Sequence, residues 1–324
     1  ICQPAMAEPL PFNFTVRTNQ EREIGNVYGY STLAFLLGKP IKRDLSAGML
    51  FADIRVHVEN SGGIGFNAGG GYRWVDFDGR LGDWHRNRIL GLHAGYDGRQ
   101  YHCRNGMICD RDNFYWVNLG FENLGEKWDF RVNGYLGVGR SDREYMLEAI
   151  RFTGNNLLVA PFYAEAMWGV DGEFGRKLKR VSAAIKRRIN LDPKIYAAIG
   201  GYHFASRHGK DATGVRFRLQ ANLHTNVTVG LRASYDSRFG GLVLGQVAFA
   251  IGIPPRSTRS APDHGPSMAI RRLTEFRQRQ ELVVVGEGLS NRERILTDAR
   301  GNPVPFVHVK NTSAAGGDGT FERP

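Results

Sequence analysis

The sequence predicts an all-β fold, a transmembrane antiparallel β-barrel of about twelve strands, on three observations. Long stretches alternate strictly between apolar and polar residues. Short turns rich in Gly, Asp, Asn and Ser separate them. No apolar run is long enough to cross a membrane as a helix. Alternation over a strand's length gives one greasy face and one wet face, because successive side chains point to opposite sides. The longest apolar runs, such as Ala248 to Ile251, fall far short of the ~20 residues a spanning helix needs. The mean hydropathy of -0.35 and the 42% hydrophobic content do not exclude a barrel, since half of each barrel strand faces a polar interior.

Twelve segments carry the pattern, near residues 12–20, 30–40, 49–59, 63–76, 86–99, 113–123, 127–138, 163–177, 194–206, 212–224, 227–237 and 241–253. In the third, Ala52, Ile54, Val56 and Val58 share a face, and Asp53, Arg55, His57 and Glu59 take the other. In the seventh, Phe130, Val132 and Leu136 oppose Asp129, Arg131 and Asn133. In the tenth, Phe217 and Leu219 oppose Arg216 and Arg218, and in the eleventh Val229 and Leu231 oppose Arg232. The expectation is that Phe217, Leu219, Val229 and Leu231 face lipid. Asp53, Arg55, Glu122, Asp129, Arg131, Asp171, Glu173, Arg216, Arg218 and Arg232 are expected to face the interior. The last segment, Leu242 to Ile253, must pair with the first, because lipid tolerates no open sheet edge.

Composition agrees with this reading. The 41 glycines let strands curve and approach closely, and the 19 Phe and 12 Tyr suit a wall in contact with lipid and its interfaces. A net charge of +11 raises nucleic acid as a partner, but no helix-turn-helix, zinc-finger or RNP-like pattern accompanies it, and nucleic-acid binding is not expected. The basic run from Arg176 to Arg188 reads as a solvated loop, with contact to anionic lipid headgroups as the sharper reading. Cys103 and Cys109 close a short polar loop. With no second cysteine pair for zinc they are read as a disulfide in an oxidising compartment, two free thiols being the alternative. Ala5-Met6-Ala7 before Glu8 has the small-x-small form of a signal-peptidase site, so residues 1–7 are read as the end of a secretory signal and residues 8–255 as the barrel.

The sequence contains no H-E-x-x-H, G-x-S-x-G, P-loop or paired C-x-x-C motif. Gly63 to Ala68 matches the dinucleotide fingerprint in letters, but Gly71-Tyr72-Arg73-Trp74-Val75 continues a strand where that motif requires a helix. His57, His93 and His203 have no spaced partners, and no metal, cofactor or enzymatic activity is expected. Asp53, Asp97, Asp129, Asp171 and Glu173 read as the polar face of alternating strands rather than a catalytic set.

After Pro254-Pro255 the character changes. Arg256 to Pro266 is a Ser/Pro/Arg linker, Ser267 to Gln280 reads as a short helix capped by Ser267, and Glu281 to Val285 reads as extended chain. Residues 256–290 are thus taken as a linker and residues 291–324 as the start of a further region. The run Gly120-Phe121-Glu122-Asn123-Leu124-Gly125 followed by Trp128-Asp129-Phe130-Arg131-Val132-Asn133-Gly134-Tyr135-Leu136 resembles the β-domain of inverse autotransporters, the intimin and invasin family. Gly69-Gly70-Gly71-Tyr72-Arg73, Gly95-Tyr96-Asp97 and Gly200-Gly201-Tyr202 recur in similar places, and the similarity covers roughly residues 30 to 285. The resemblance implies a twelve-stranded barrel, a helix within the pore, and an extended linker leading to the cell surface. On that layout Arg271, Arg272, Leu273, Phe276, Arg277 and Arg279 belong to a helix plugging the lumen opposite the inward carboxylates. The final Gly317-Asp318-Gly319-Thr320-Phe321-Glu322-Arg323-Pro324 is similar to the opening of parallel β-helix passengers, unlike the immunoglobulin-like passengers of the namesakes.

The expected function is therefore that of a bacterial outer-membrane anchor and translocator. Its expected partners are outer-membrane lipid, its own C-terminal passenger and, by the resemblance, the barrel-assembly machinery. A diffusion porin is the first alternative, and a soluble β-rich carbohydrate-binding protein or enzyme the second.

Overall fold

Alternation of side-chain type becomes alternation of burial. In the computed structural model, every second residue of Tyr30–Pro40 and Met49–Glu59 is buried, and those between face outward. The structure describes residues 12–25, 28–41, 48–76, 88–101, 112–189, 193–224, 226–253 and 272–307. Cys103, Cys109, Arg271, the N-terminal residues 1–7, the linker up to Arg271 and the Gly317–Pro324 run lie outside them.

The strands are β1 (Phe12–Glu21), β2 (Tyr30–Pro40), β3 (Met49–Glu59), β4 (Ile64–Asp76), β5 (Arg88–Tyr101), β6 (Asp112–Leu124), β7 (Trp128–Val138), β8 (Asp142–Thr153), β9 (Asn156–Ala166) and β10 (Trp168–Lys177). A helix, α1 (Lys179–Ile189), precedes β11 (Lys194–Ala205), β12 (Ala212–His224), β13 (Val227–Asp236) and β14 (Gly240–Ile253); β15 (Val285–Leu289) and β16 (Arg294–Ile295) follow. Twelve of these close into one antiparallel barrel in the order β1-β14-β13-β12-β11-β10-β7-β6-β5-β4-β3-β2. The closing pair runs from Phe12↔Ile253 to Glu21↔Leu244, so first and last strands cover each other's edges. Among the described residues no helix is long and apolar enough to cross a membrane; the strands form the wall. The end where β1 begins is called lower here, and the end where β8 and β9 stand is called upper.

The outer wall is apolar. Leu33, Ile54, Phe66, Leu119, Ile199 and Phe217 all face outward and are exposed. Trp74 and Trp128 stand toward the lower ends of their strands, while Trp168 and Tyr235 stand toward the upper ends. Aromatic side chains at both rims of a greasy band suit the two membrane interfaces.

Three expectations need correction. The segment expected at 163–177 is two elements: β9 ends at Ala166, and the barrel strand β10 begins at Trp168. Residues 139–162, left without structure by the sequence reading, contain β8 and most of β9, a hairpin outside the barrel. Much of β8 is exposed, so it carries no greasy-in, polar-out signature. The basic run expected as a loop contains α1, built from good helix formers (Ala183, Ala184, Lys, Arg) with Lys186, Arg187 and Arg188 in its last turn, where cations complement the helix dipole. Ser182 ties it down by donating to Leu178 O (3.2 Å) and accepting from Ile195 N–H (3.1 Å). Lys179 Nζ donates to Glu126 (2.6 Å), which holds that carboxyl below its ordinary pKa.

The third correction concerns the helix expected over Ser267–Gln280. Arg272, the first described residue, is helical and leads into a turn in which Glu275 N–H donates to Arg272 O at 3.0 Å; from Glu275 to Gln280 the chain is not helical, and residues 267–271 lie outside the described residues. The reason is local competition for carbonyls. Arg73 donates to Leu273 O and Glu275 O (2.5 and 2.6 Å), Arg55 to Arg277 O (2.8 Å) and Asn133 to Gln278 O (3.2 Å). Barrel side chains thus take the places that i+4 amides would occupy in a helix.

Candidate functional site in the barrel interior

The interior is lined by the polar parity of each strand. Asp53, Arg55, Glu122, Asp129, Arg131, Asp171, Arg216 and Arg218 are buried there, and Glu173 and Arg232 are nearly so. Residues 272–285 run through this space from the lower end to the upper.

At the lower end Arg272 chelates Asp129 with two bonds of 2.8 Å and donates to Gly125 O at 2.6 Å. Asp129 also meets Arg131 at 3.3 Å. Leu273 is buried among Leu36, Met49, Phe51, Val75, Ile89 and Leu124, with Phe276 packed beside that cluster. Arg73, which holds the Leu273 and Glu275 carbonyls, is itself paired with Glu122 at 2.5 Å.

At mid-height the interior charges interlock. Asp53 accepts from Arg277 Nε at 2.8 Å and from Arg55 at 2.9 and 2.7 Å. Arg279 chelates Asp97 at 2.8 and 2.6 Å. Gly69 makes room here: a Cβ on it would lie 2.8 Å from the Arg277 guanidinium nitrogens. Asp171 accepts from Tyr135 (2.7 Å) and Asn133 (2.8 Å) and lies 3.5 Å from Arg216. The Tyr135 hydroxyl in turn accepts from the Gln280 amide at 2.8 Å. Two residues further along β10, Glu173 is held by Arg218 (2.6 and 3.0 Å) and Arg131 (3.3 Å), and Arg232 on β13 pairs with Glu23.

Toward the upper end Glu281 pairs with both Arg17 and Arg55, and its carbonyl accepts from Asn67 at 2.8 Å. Arg99, chelated by Glu59 at 2.6 and 2.8 Å, donates to Val283 O at 2.9 Å. Val283, Val284 and Val285 pack in an aromatic cluster with Tyr101, Phe114, Trp116, Tyr135 and Phe204. The chain then leaves the interior as β15, paired with β9.

Of the residues singled out in the sequence, Asp53 and Asp129 meet Arg277 and Arg272 directly. Glu122, Asp171 and Glu173 are neutralised mainly by wall residues instead. The sequence reading placed Asp97, Glu59 and Arg73 on the polar strand faces but did not pair Asp97 with Arg279 or join Glu59 and Arg73 to the threaded chain, and it missed Glu281 and Arg99 as members of this network. All but Glu281 sit on the interior parity of their strands, the one signal that could have found them. Glu281 had none, because it lies in chain with no periodic pattern. Among the described residues no group of three or more His, Cys, Asp or Glu could hold a metal ion.

No family model and no curated relative matches the chain. Solved structures do. A chain from a study of the in-meso crystallization of membrane proteins covers 85% of this chain and 100% of its own length, at 14% identity and a TM-score of 0.50. An outer-membrane channel from Pseudomonas putida F1 covers 78% of this chain and 100% of its own, at 12% identity and a TM-score of 0.41. The β-domain of the Bordetella autotransporter BrkA covers 75% and 99%, at 15% identity and a TM-score of 0.34. At such identities the likeness is one of fold. The chain has the fold of a membrane-spanning β-barrel. A closed antiparallel wall, greasy outside and charged within, satisfies every backbone group without water, which is the condition for a sheet to cross a bilayer.

Proposed function

We propose that this barrel anchors its own C-terminal extension in the bacterial outer membrane and exports it to the cell surface. The observation that carries the reading is the course of the chain after β14. Residues 272–285 traverse the interior, held at each level by wall side chains, and the chain emerges at the end opposite to where β1 begins. A chain left threaded this way is what export through the barrel would leave behind. A diffusion porin, the alternative, needs an aqueous path where this protein keeps Arg277, Arg279 and Gln280 fully buried. On this reading the passenger is the region after β15, the surrounding partner is outer-membrane lipid, and assembly proceeds through the barrel-assembly machinery.

The test is topological. Val307, 73% exposed at the end of the described chain, is changed to Cys where Cys2, Cys103 and Cys109 are all serine. A membrane-impermeant maleimide should label Val307→Cys on intact cells. Labelling only after the outer membrane is permeabilised would place the tail in the periplasm and overturn the proposal. High ion conductance by the intact purified protein in planar bilayers would favour the porin.

A further inference from the structure

β9 has two edges, and both are used. On one side lies β8, from Asp142↔Glu165 to Thr153↔Asn156. On the other lies the chain that has just left the interior. Its contacts follow in sequence order from the barrel rim to the hairpin tip: Val285↔Ala166 to Leu289↔Phe162, then Arg294↔Val159 and Ile295↔Leu158, then the bridge Asn156↔Pro305. Odd-numbered residues of β9 face this edge. Met167 N–H donates to Val284 O (3.0 Å), Pro161 O accepts from Ser290 (2.9 Å), Leu157 O from Leu296 (2.8 Å) and Asn155 O from Phe306 (2.8 Å). Pro161 has no N–H to offer, and at its position the emerging chain departs from the edge, between Leu289 and Arg294.

The hairpin is fastened independently of that chain. Arg143 and Tyr145 donate to Asp112 at the top of β6 (2.8 and 2.7 Å). The Glu165 carboxylate accepts from the amides of Arg207 and His208 and from the Ser206 hydroxyl, in the β11–β12 turn. Without β15 and β16, a fixed strand would present an unpaired edge beside the barrel mouth, and such an edge pairs readily with extended chain. Starting a sheet from free chain requires closing a loop and fixing two strands at once, whereas adding a strand to a standing edge fixes only one.

We propose that the β8–β9 hairpin is a folding template: its β9 edge captures the exported chain as it leaves the barrel and sets its first β-strands, from rim to tip. This rests on the export reading above, since only a chain arriving from the interior meets the edge in that order. It adds a second activity to the barrel, binding of an extended polypeptide by strand addition.

The experiment uses the full chain in the outer membrane. In the double variant Val159→Pro and Tyr163→Pro, two amides on the receiving edge are lost while those directed at β8 remain; Pro161 already shows that proline is accommodated there. Surface display is read by the Val307→Cys label, and order by trypsin cleavage at Arg292 and Arg294 on intact cells. The expected result is unchanged display with cleavage faster by about tenfold or more, because an unpaired segment opens without unfolding anything else. Unchanged display with unchanged cleavage overturns the template. Display lost only in the double variant also overturns it, the edge then serving export itself. Absence of display in the unaltered chain overturns the export reading first. A variant that does not assemble is replaced by a second measurement on the unaltered protein refolding in detergent. There, amide protection in β15 should follow that of β9, and protection of β15 first or in step overturns the proposal.

Discussion

Asp53 is fully enclosed and shared by two guanidinium groups, those of Arg55 and Arg277. Removing one member of a buried ionic set costs more than the set contributes, because the remaining charges stay desolvated without a counterion. Asp53→Ala should therefore destabilise by about 3–5 kcal/mol, seen as a lower urea midpoint in detergent, and Arg277→Met in the same chain should restore part of the loss. A single variant as stable as the parent would mean that the interior admits water freely. On the outer face the sign reverses. Leu219, outward-facing and opposite Leu231, should tolerate Val, whereas Leu219→Arg should cost about 2–4 kcal/mol at mid-membrane and lower the heat-modifiable, assembled fraction. Parity along β12 made this distinction legible in the sequence, since Arg216 and Arg218 alternate with Phe217 and Leu219. The pairing of Arg279 with Asp97 was not legible, because parity tells which face a residue takes and nothing about its height in the barrel.

Eleven of the twelve wall strands were read with nearly the right limits, the exception being the one whose expected start, residue 163, lies in β9, and elements outside the wall were not read. β3, closing two neighbours with one face in lipid and one inside, has no freedom to break alternation. β8 is largely exposed on both faces and its register shifts twice against β9, so Glu144, Met146, Glu148 and Ile150 follow each other without penalty, and the periodic signal is lost. α1 shows the same limit: its charges suited a loop, and propensity together with the Ser182 tether made a helix. Ala184→Pro should break it at a cost of about 3 kcal/mol confined to α1, since the missing amide and the ring clash are local. Trypsin should then cut faster at Lys186, Arg187 and Arg188 while the barrel keeps its heat-modifiable mobility. Loss of that mobility would show that α1 supports the barrel, contrary to its exposed position.

At the scale of the molecule, the interior is a charge-balanced plug made from the protein's own chain. Deleting residues 272–285 would leave Asp53, Asp97 and Asp129 without their Arg277, Arg279 and Arg272 partners and open the space those side chains fill. Single-channel conductance in planar bilayers should rise from a near-closed level to steady open steps. Unchanged conductance would mean that other residues occlude the pore.

Taken by itself, the sequence determined the closed wall: the side-chain period of a strand is two, lipid enforces it on one face, and an unpaired edge in a bilayer is too costly to keep. Those constraints act on each residue and its immediate neighbours, so a linear string records them. Only the tertiary structure decided the path of residues 272–306 and the hairpin that receives them. Arg272, Arg277 and Arg279 could have served a helix or a loop equally well. The non-helical course beyond the turn at Arg272 follows from carbonyls captured by Arg55, Arg73 and Asn133, side chains from three strands that closure alone brings around one axis. β15 is extended because β9 stands beside the mouth to pair with it, over one hundred residues away in the chain.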